Sequence, residues 1–199
     1  MVNYYQEFLK ITKDIENGGV KKKLLLHSCC APCSSASLEK LLPFFDITIY
    51  FYNPNITEIE EYNLRLNEQR RFISQAYTGE IEVIDGGFNS DAFFNLARGL
   101  EQEPERGKRC FACYEERLLK TALLCKERGF DYFATTLTLS PHKNSQKLNE
   151  IGFMLEDKFK VNYLPTDLKK GGGYIRSIEL SKKYNLYRQN YCGCIFSKG

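Results

Sequence analysis

The chain has 199 residues, 43% of them hydrophobic and 27% charged, and a net charge of +3. That is enough sequence for one well-buried domain with an appended tail, too little charge for a globally basic nucleic-acid binder, and no apolar run approaches the roughly 18–20 residues that span a bilayer. Eight cysteines, in a chain whose first residues lack the apolar core of a secretory signal, read as metal ligands or redox groups in a reducing cytoplasm, not as a disulfide framework.

Residues 1–20 read as an N-terminal helical segment. Strand-like apolar runs follow at Lys23–His27, Ile47–Tyr52, Ile81–Ile84, Tyr132–Thr136 and, more weakly patterned, Lys160–Leu164. Helical patterns lie between them at Ser35–Leu42, Glu58–Thr78, Asp91–Gly99, Cys110–Arg128 and Ser145–Lys158. This alternation predicts one α/β domain over residues 1–199, with a mostly parallel sheet flanked by helices. In such sheets ligands bind beyond the carboxyl ends of the strands. The stretch "LKKGGGYIRS" reads as a flexible hinge before a final helix, which makes residues 169–199 a basic C-terminal extension.

At the end of the first predicted strand, "LLLHSCCAPC" places Cys29, Cys30 and Cys33 within five positions. Neighbouring strand residues point to opposite faces, so Cys29 and Cys30 share one site only if the backbone turns there, as Pro32 and the following serines favour. In "GKRCFACYEERLL", Cys110 and Cys113 open a predicted helix on one face, with Lys108 and Arg109 alongside to favour thiolates. Two such clusters point to a four-thiolate metal site, which suits zinc and iron–sulfur alike. Near the C-terminus, "YCGC" spaces Cys192 and Cys194 by one glycine. A labile redox disulfide, carried on a mobile tail, and a pair of extra metal ligands both match that spacing. Cys125 lies on an apolar helical stripe and reads as a structural core cysteine. Cys33 reads equally as a spare ligand and as packing at a helix start.

From Lys169 to Gln189 there are six basic residues against one acid, interleaved with tyrosines. Arg176, Lys182, Lys183 and Arg188 form either an electrostatic grip on RNA or a solvated helix face. In "TLSPHKNS", Ser140, Lys143, Asn144 and Ser145 open a predicted helix and could cradle a phosphate or simply cap it. No G-x-x-x-x-G-K-[ST] loop is present, so an RNA phosphate is preferred to ATP. His27 and His142, the two histidines of the chain, fall at predicted strand ends. Each is a candidate for proton delivery or for a hydrogen-bonded structural role.

Taken together, "LLLHSCCAPC" (24–33), "YNPNI" (52–56), "EYNLR" (61–65), "GKRCFACYEERL" (107–118), "ATTLTLSPHKNS" (134–145) and "GGYIRSIELSKKYNLYRQNYCGC" (172–194) resemble the QueH-type epoxyqueuosine reductases. The resemblance implies an adenine-nucleotide α-hydrolase-like (HUP, Rossmann-like) fold and a cytoplasmic oxidoreductase that deoxygenates epoxyqueuosine in a tRNA anticodon loop to queuosine and water. It further implies a [4Fe-4S] cluster on Cys29, Cys30, Cys110 and Cys113, a redox-active disulfide between Cys192 and Cys194, and an external electron donor. An additional iron near Cys33 is also considered. Two rival readings share the same features: an ATP-using tRNA thiolase or sulfurtransferase, and a zinc-stabilised RNA-binding module.

Overall fold

In a computed structural model that describes residues 2–78 and 81–198, β1 (Lys22–His27) runs through the centre of the molecule with Leu24, Leu25 and Leu26 fully buried. A strand without polar alternation is one covered on both faces. Leu24 and Leu26 point to one layer, where they pack with Phe8 of α1 (Tyr4–Gly18), Leu38 of α2 (Ala31–Leu41) and Phe72 of α3 (Ile59–Ala76). The next element in that half of the chain is α4 (Ser90–Ala97). Leu25 points the other way, to Leu118 and Ala122 of α5 (Lys108–Arg128) and Leu148 and Ile151 of α6 (Ser145–Phe159). Each fully buried leucine stabilises the fold by about 1.5–3 kcal/mol relative to exposure, so this tripeptide anchors both layers.

The sheet has the order β3-β2-β1-β4-β5, with β2 (Phe45–Phe51), β3 (Val83–Asp85), β4 (Tyr132–Thr135) and β5 (Asn162–Tyr163), and every pair is parallel. The predicted α/β class is therefore observed. Strand order reverses between β1 and β4, where His27 stands beside Thr135, and such a switch point is where an open α/β sheet leaves a crevice. Among the described residues no helix is long and apolar enough to cross a membrane. Met1, Gly79, Glu80 and Gly199 lie outside the described residues.

Two expectations need correction. α2 begins at Ala31, four residues before the predicted Ser35, because Pro32 suits a first helical turn and Ser34 N–H already donates to the Cys30 carbonyl at 3.1 Å. The glycine-rich stretch is no hinge. Leu168 is fully buried, and Lys40 Nζ donates to the carbonyls of Leu168 at 3.2 Å and Gly171 at 3.4 Å. α7 (Gly173–Lys183) then packs on α2 through Leu180, Leu168 and Ala36. The basic segment is thus built into the domain.

Candidate active site

Past His27 the chain turns sharply into α2, and the turn brings the Cys29 and Cys30 sulfurs to 3.7 Å of one another. Cys33, one turn into α2, joins them: the three sulfurs all lie within 4.8 Å of each other. Buried hydroxyls hold the turn. Ser28 and Ser34 both donate to Gln69 Oε1, at 2.9 and 2.8 Å, and Cys29 N–H donates to Thr136 Oγ1 from across the switch point at 3.3 Å. Cys29 is the most acidic thiol of the group. The Cys30 and Cys33 thiols donate to it and Arg117 and Thr136 assist, so its pKa lies well below the ordinary thiol value. The same hydrogen bonds push Cys30 up to about 12 and Cys33 well above its ordinary value.

Sequence reasoning expected Cys29 and Cys30 to converge with Cys110 and Cys113. The tight group instead includes Cys33, because the i, i+3 step of α2 puts it on the same face as Cys30. The α5 pair is close by but outside this group. Cys110 packs in the same apolar cluster as Cys29 and accepts the Arg106 N–H at 3.3 Å. Cys113 is buried with Cys194; burial raises its pKa while the nearby Arg117 guanidinium opposes the shift. Arg117 therefore stands between the two sulfur groups. It is only 3% exposed, and it donates to Asn53 Oδ1, whose amide in turn donates to the Ser28 carbonyl at 2.9 Å.

His27 is fully buried and outside the cavity wall. Arg117 Nε–H donates to His27 Nε2 at 3.2 Å, which leaves Nδ1–H to donate to Thr135 Oγ1 at 2.8 Å, with the Tyr52 carbonyl 3.0 Å from Nε2. Burial first, then the Arg117 charge, lower its pKa to about 3. A neutral imidazole with both nitrogens engaged positions the end of β1, and the proton-donor role drawn from sequence does not go with this placement. Cys125 is buried on the apolar face of α5, as its stripe implied.

At the C-terminus the pair Cys192 and Cys194 is pinned, contrary to the expected mobile tail. The Cys192 carbonyl accepts from Asn55 Nδ2 at 2.8 Å and from Arg65 at 3.3 Å, while Arg65 also donates to the Tyr191 carbonyl at 3.3 Å. Thr57 N–H donates to the Gly193 carbonyl at 3.4 Å. Gly193 has φ +96°, and a side chain there would press on Ile56, so glycine alone suits both the backbone and the space. The two cysteines are free thiols of unequal character. Hydrogen bonding from Cys194, the nearby Lys143 charge and Ser197 Oγ at 3.1 Å bring Cys192 down to about 4; the bond to Cys192 pushes Cys194 up.

These elements enclose a cavity of about 330 Å³. Cys29, Cys30, Cys33 and Cys192 bring sulfur to it, and Arg117, Lys143 and Arg188 outweigh Glu105 to make it basic, the charge of Arg65 being paired with Glu61. Ser140 and His142 also line it, as do Tyr174 and Gln189. Of the residues proposed to hold RNA, Arg188, Lys143 and Ser140 reach the cavity. Asn144 caps α6 by accepting from Lys147 N–H at 3.0 Å. Arg176 is neutralised by Glu39 and Glu179, each at 2.8 Å, and Lys182 and Lys183 are exposed away from the cavity. Sequence reasoning missed Arg65, Arg117, Asn53 and Asn55. The asparagines lie in "YNPNI", a loop at the carboxyl end of β2, which the strand-end rule could have singled out.

The family model described as "Epoxyqueuosine reductase QueH" matches residues 24–199, a span that takes in every cysteine. A Streptococcus pyogenes serotype M1 protein named epoxyqueuosine reductase QueH is 43% identical over 199 residues, or 98% of this chain and 78% of that protein. A Staphylococcus epidermidis protein of the same name is 45% identical over 201 residues, covering 98% and 84% respectively. One from Thermotoga maritima is 33% identical over 177 residues, covering 87% and 89%. The chain belongs to the epoxyqueuosine reductase QueH family.

Proposed function

We propose that this chain is an epoxyqueuosine reductase, which removes the oxirane oxygen of epoxyqueuosine in a tRNA anticodon loop to give queuosine and water. The supporting observation is a basic cavity with sulfur in its walls at the carboxyl ends of β1 and β4, in a chain of this family. Turning an oxirane into an alkene and water takes two electrons and two protons. Cys29, Cys30, Cys110 and Cys113 would hold a [4Fe-4S] cluster, which supplies electrons singly when bound. The donor set fits such a group. It is all thiol, Cys110 already accepts an N–H···S bond from Arg106, and Arg117 balances thiolate charge on both sides. Cys33, in the same sulfur group, is the position at which an additional iron would sit.

Cys192 and Cys194 store an electron pair as dithiol and release it on forming their disulfide, and an external donor restores them. His142, exposed at the cavity rim, delivers a proton, and Lys143, Arg188 and Ser140 hold the RNA backbone at the mouth. Lys182 and Lys183 meet RNA farther out. All of this belongs in the cytoplasm with its tRNA substrate. The test is anaerobic iron and sulfide analysis, coupled to mass spectrometry of epoxyqueuosine-containing tRNA after incubation with reductant. Loss of one oxygen atom without ATP is expected, and the double serine variant at Cys192 and Cys194 should keep its visible absorbance yet fail at multiple turnover. An ATP requirement, or stoichiometric zinc in a colourless protein, would refute the proposal.

A further inference from the structure

The pair at Cys192 and Cys194 has one open side. Cys192 is half-buried and lines the cavity, with Lys143 and Ser197 facing its sulfur. Cys194 is 6% exposed and packs behind it against Phe93, Ala97 and Cys113. Phe196 closes the far side, 6.2 Å from the ring of Phe93 and under the guanidinium of Arg109 at 5.0 Å. Arg65 and Asn55, each 2% exposed, fasten the Cys192 carbonyl, and Gly193 is locked between them and Ile56. A pair held in this way does not swing outward to meet a reductant. At about 330 Å³ the cavity is at the small end of the range for pockets that take a single ligand.

We propose that electrons enter the pair only at Cys192, through the cavity that takes the substrate, so that bound tRNA and an incoming thiol reductant exclude one another and turnover is ping-pong. This rests on the redox role given to the pair above. In the exchange a thiolate of the reductant, a dithiol by class, attacks Cys192 Sγ. The Cys192–Cys194 bond breaks, and Cys194 departs with the electron pair and takes up a proton. The reductant's second thiol then attacks the sulfur bonded to Cys192 and releases Cys192 as a thiolate, beside Lys143, Ser197 and the Cys194 thiol. The reductant ends as a disulfide and the pair gains two electrons. Accessibility selects Cys192 for attack, since Cys192 lines the cavity and Cys194, 6% exposed, does not.

Two measurements on the full-length, metal-loaded protein decide the matter. In the first, protein oxidised at the pair is reduced with dithiothreitol, and new thiols are counted by labelling and peptide mass spectrometry, with and without saturating tRNA that lacks the modified base. Reduction should slow at least tenfold when tRNA is bound, with binding followed in parallel by fluorescence anisotropy. In the second, glutathione disulfide is offered to reduced Cys194→Ser and Cys192→Ser variants. A mixed disulfide should form on Cys192 of the former at least tenfold faster than on Cys194 of the latter. Equal capture rates overturn the entry role of Cys192, and a reduction rate indifferent to bound tRNA overturns mutual exclusion. A protein that binds no tRNA refutes the proposed function instead, and the capture experiment still judges Cys192 by itself.

Discussion

Replacing Arg65 with methionine should loosen the C-terminal segment and uncover Cys194. Arg65 is 2% exposed and pairs with Glu61 at 2.6 Å, while its other nitrogens hold the Tyr191 and Cys192 carbonyls and its guanidinium lies 5.3 Å from the Tyr191 ring centre. Removing one partner of a buried ion pair costs about 3–5 kcal/mol. Two features reduce that cost: methionine retains the volume of the arginine stem, and Asn55 still serves the Cys192 carbonyl. A net loss of about 3 kcal/mol remains, roughly a hundredfold in the folded-to-unfolded ratio and a large share of a typical domain's stability. Lysine at this position keeps the charge but not the fork that spans two carbonyls, so it should recover only part of the loss. Urea unfolding of the metal-free protein measures the stability, and alkylation followed by peptide mass spectrometry measures access to Cys194. A variant that loses less than about 1 kcal/mol and keeps Cys194 protected would show that Arg65 does not fasten the segment.

Further outcomes follow from the same contacts. Because His27 is held neutral, with a pKa of about 3 against an ordinary 6.5, the unfolded chain binds the extra proton first. Stability is therefore full above the ordinary value and lost as pH falls toward the folded one, by about 2–3 kcal/mol between pH 7 and about pH 4.5; His27→Gln should flatten that slope in urea titrations of the metal-free protein. A Cβ on Gly152 would fall within the ring of buried Tyr163, so Gly152→Ala should cost about 1–3 kcal/mol by overpacking, read as a lowered thermal midpoint. Neutralising Lys143 and Arg188 together should reduce the salt slope of tRNA binding by about two phosphate contacts. Arg176→Gln should leave that slope almost unchanged, since Glu39 and Glu179 already compensate its charge.

The parts of the fold that could be read in advance are those fixed by local chemistry. "LLLH" announces a strand buried on both faces, and the cysteine spacings announce sulfur chemistry at a strand end. Arg65 and Arg117 were hidden because charged residues on helices ordinarily face water. Glu61 and Arg65, four apart, look like an exposed i, i+4 pair, yet they are buried by a C-terminal segment more than 120 residues away. Arg176 looked free for RNA because Glu39 stands 137 residues distant in sequence. The glycines near 171 looked flexible, but Gly171 and Gly172 adopt positive φ in a loop whose carbonyls are gathered by Lys40. In each case the missing information was a long-range contact, which residue type and spacing do not encode.

The long-range contacts at the site share one member. From the end of β1 the Ser28 carbonyl binds Asn53, Asn53 binds Arg117, and Arg117 also donates to His27 Nε2, with Cys113 nearby on α5. The same guanidinium favours the thiolate of Cys29. Two cysteine groups some 80 residues apart are therefore balanced by one buried cation, itself oriented by a loop at the end of β2. Were Arg117 lost, Cys29 and Cys113 would both lose a positive charge that now favours their ionised forms, and both pKa values should rise. The two cysteine groups read separately from sequence thus share one neighbouring cation, and an asparagine of "YNPNI" helps to hold it although it carries no sulfur.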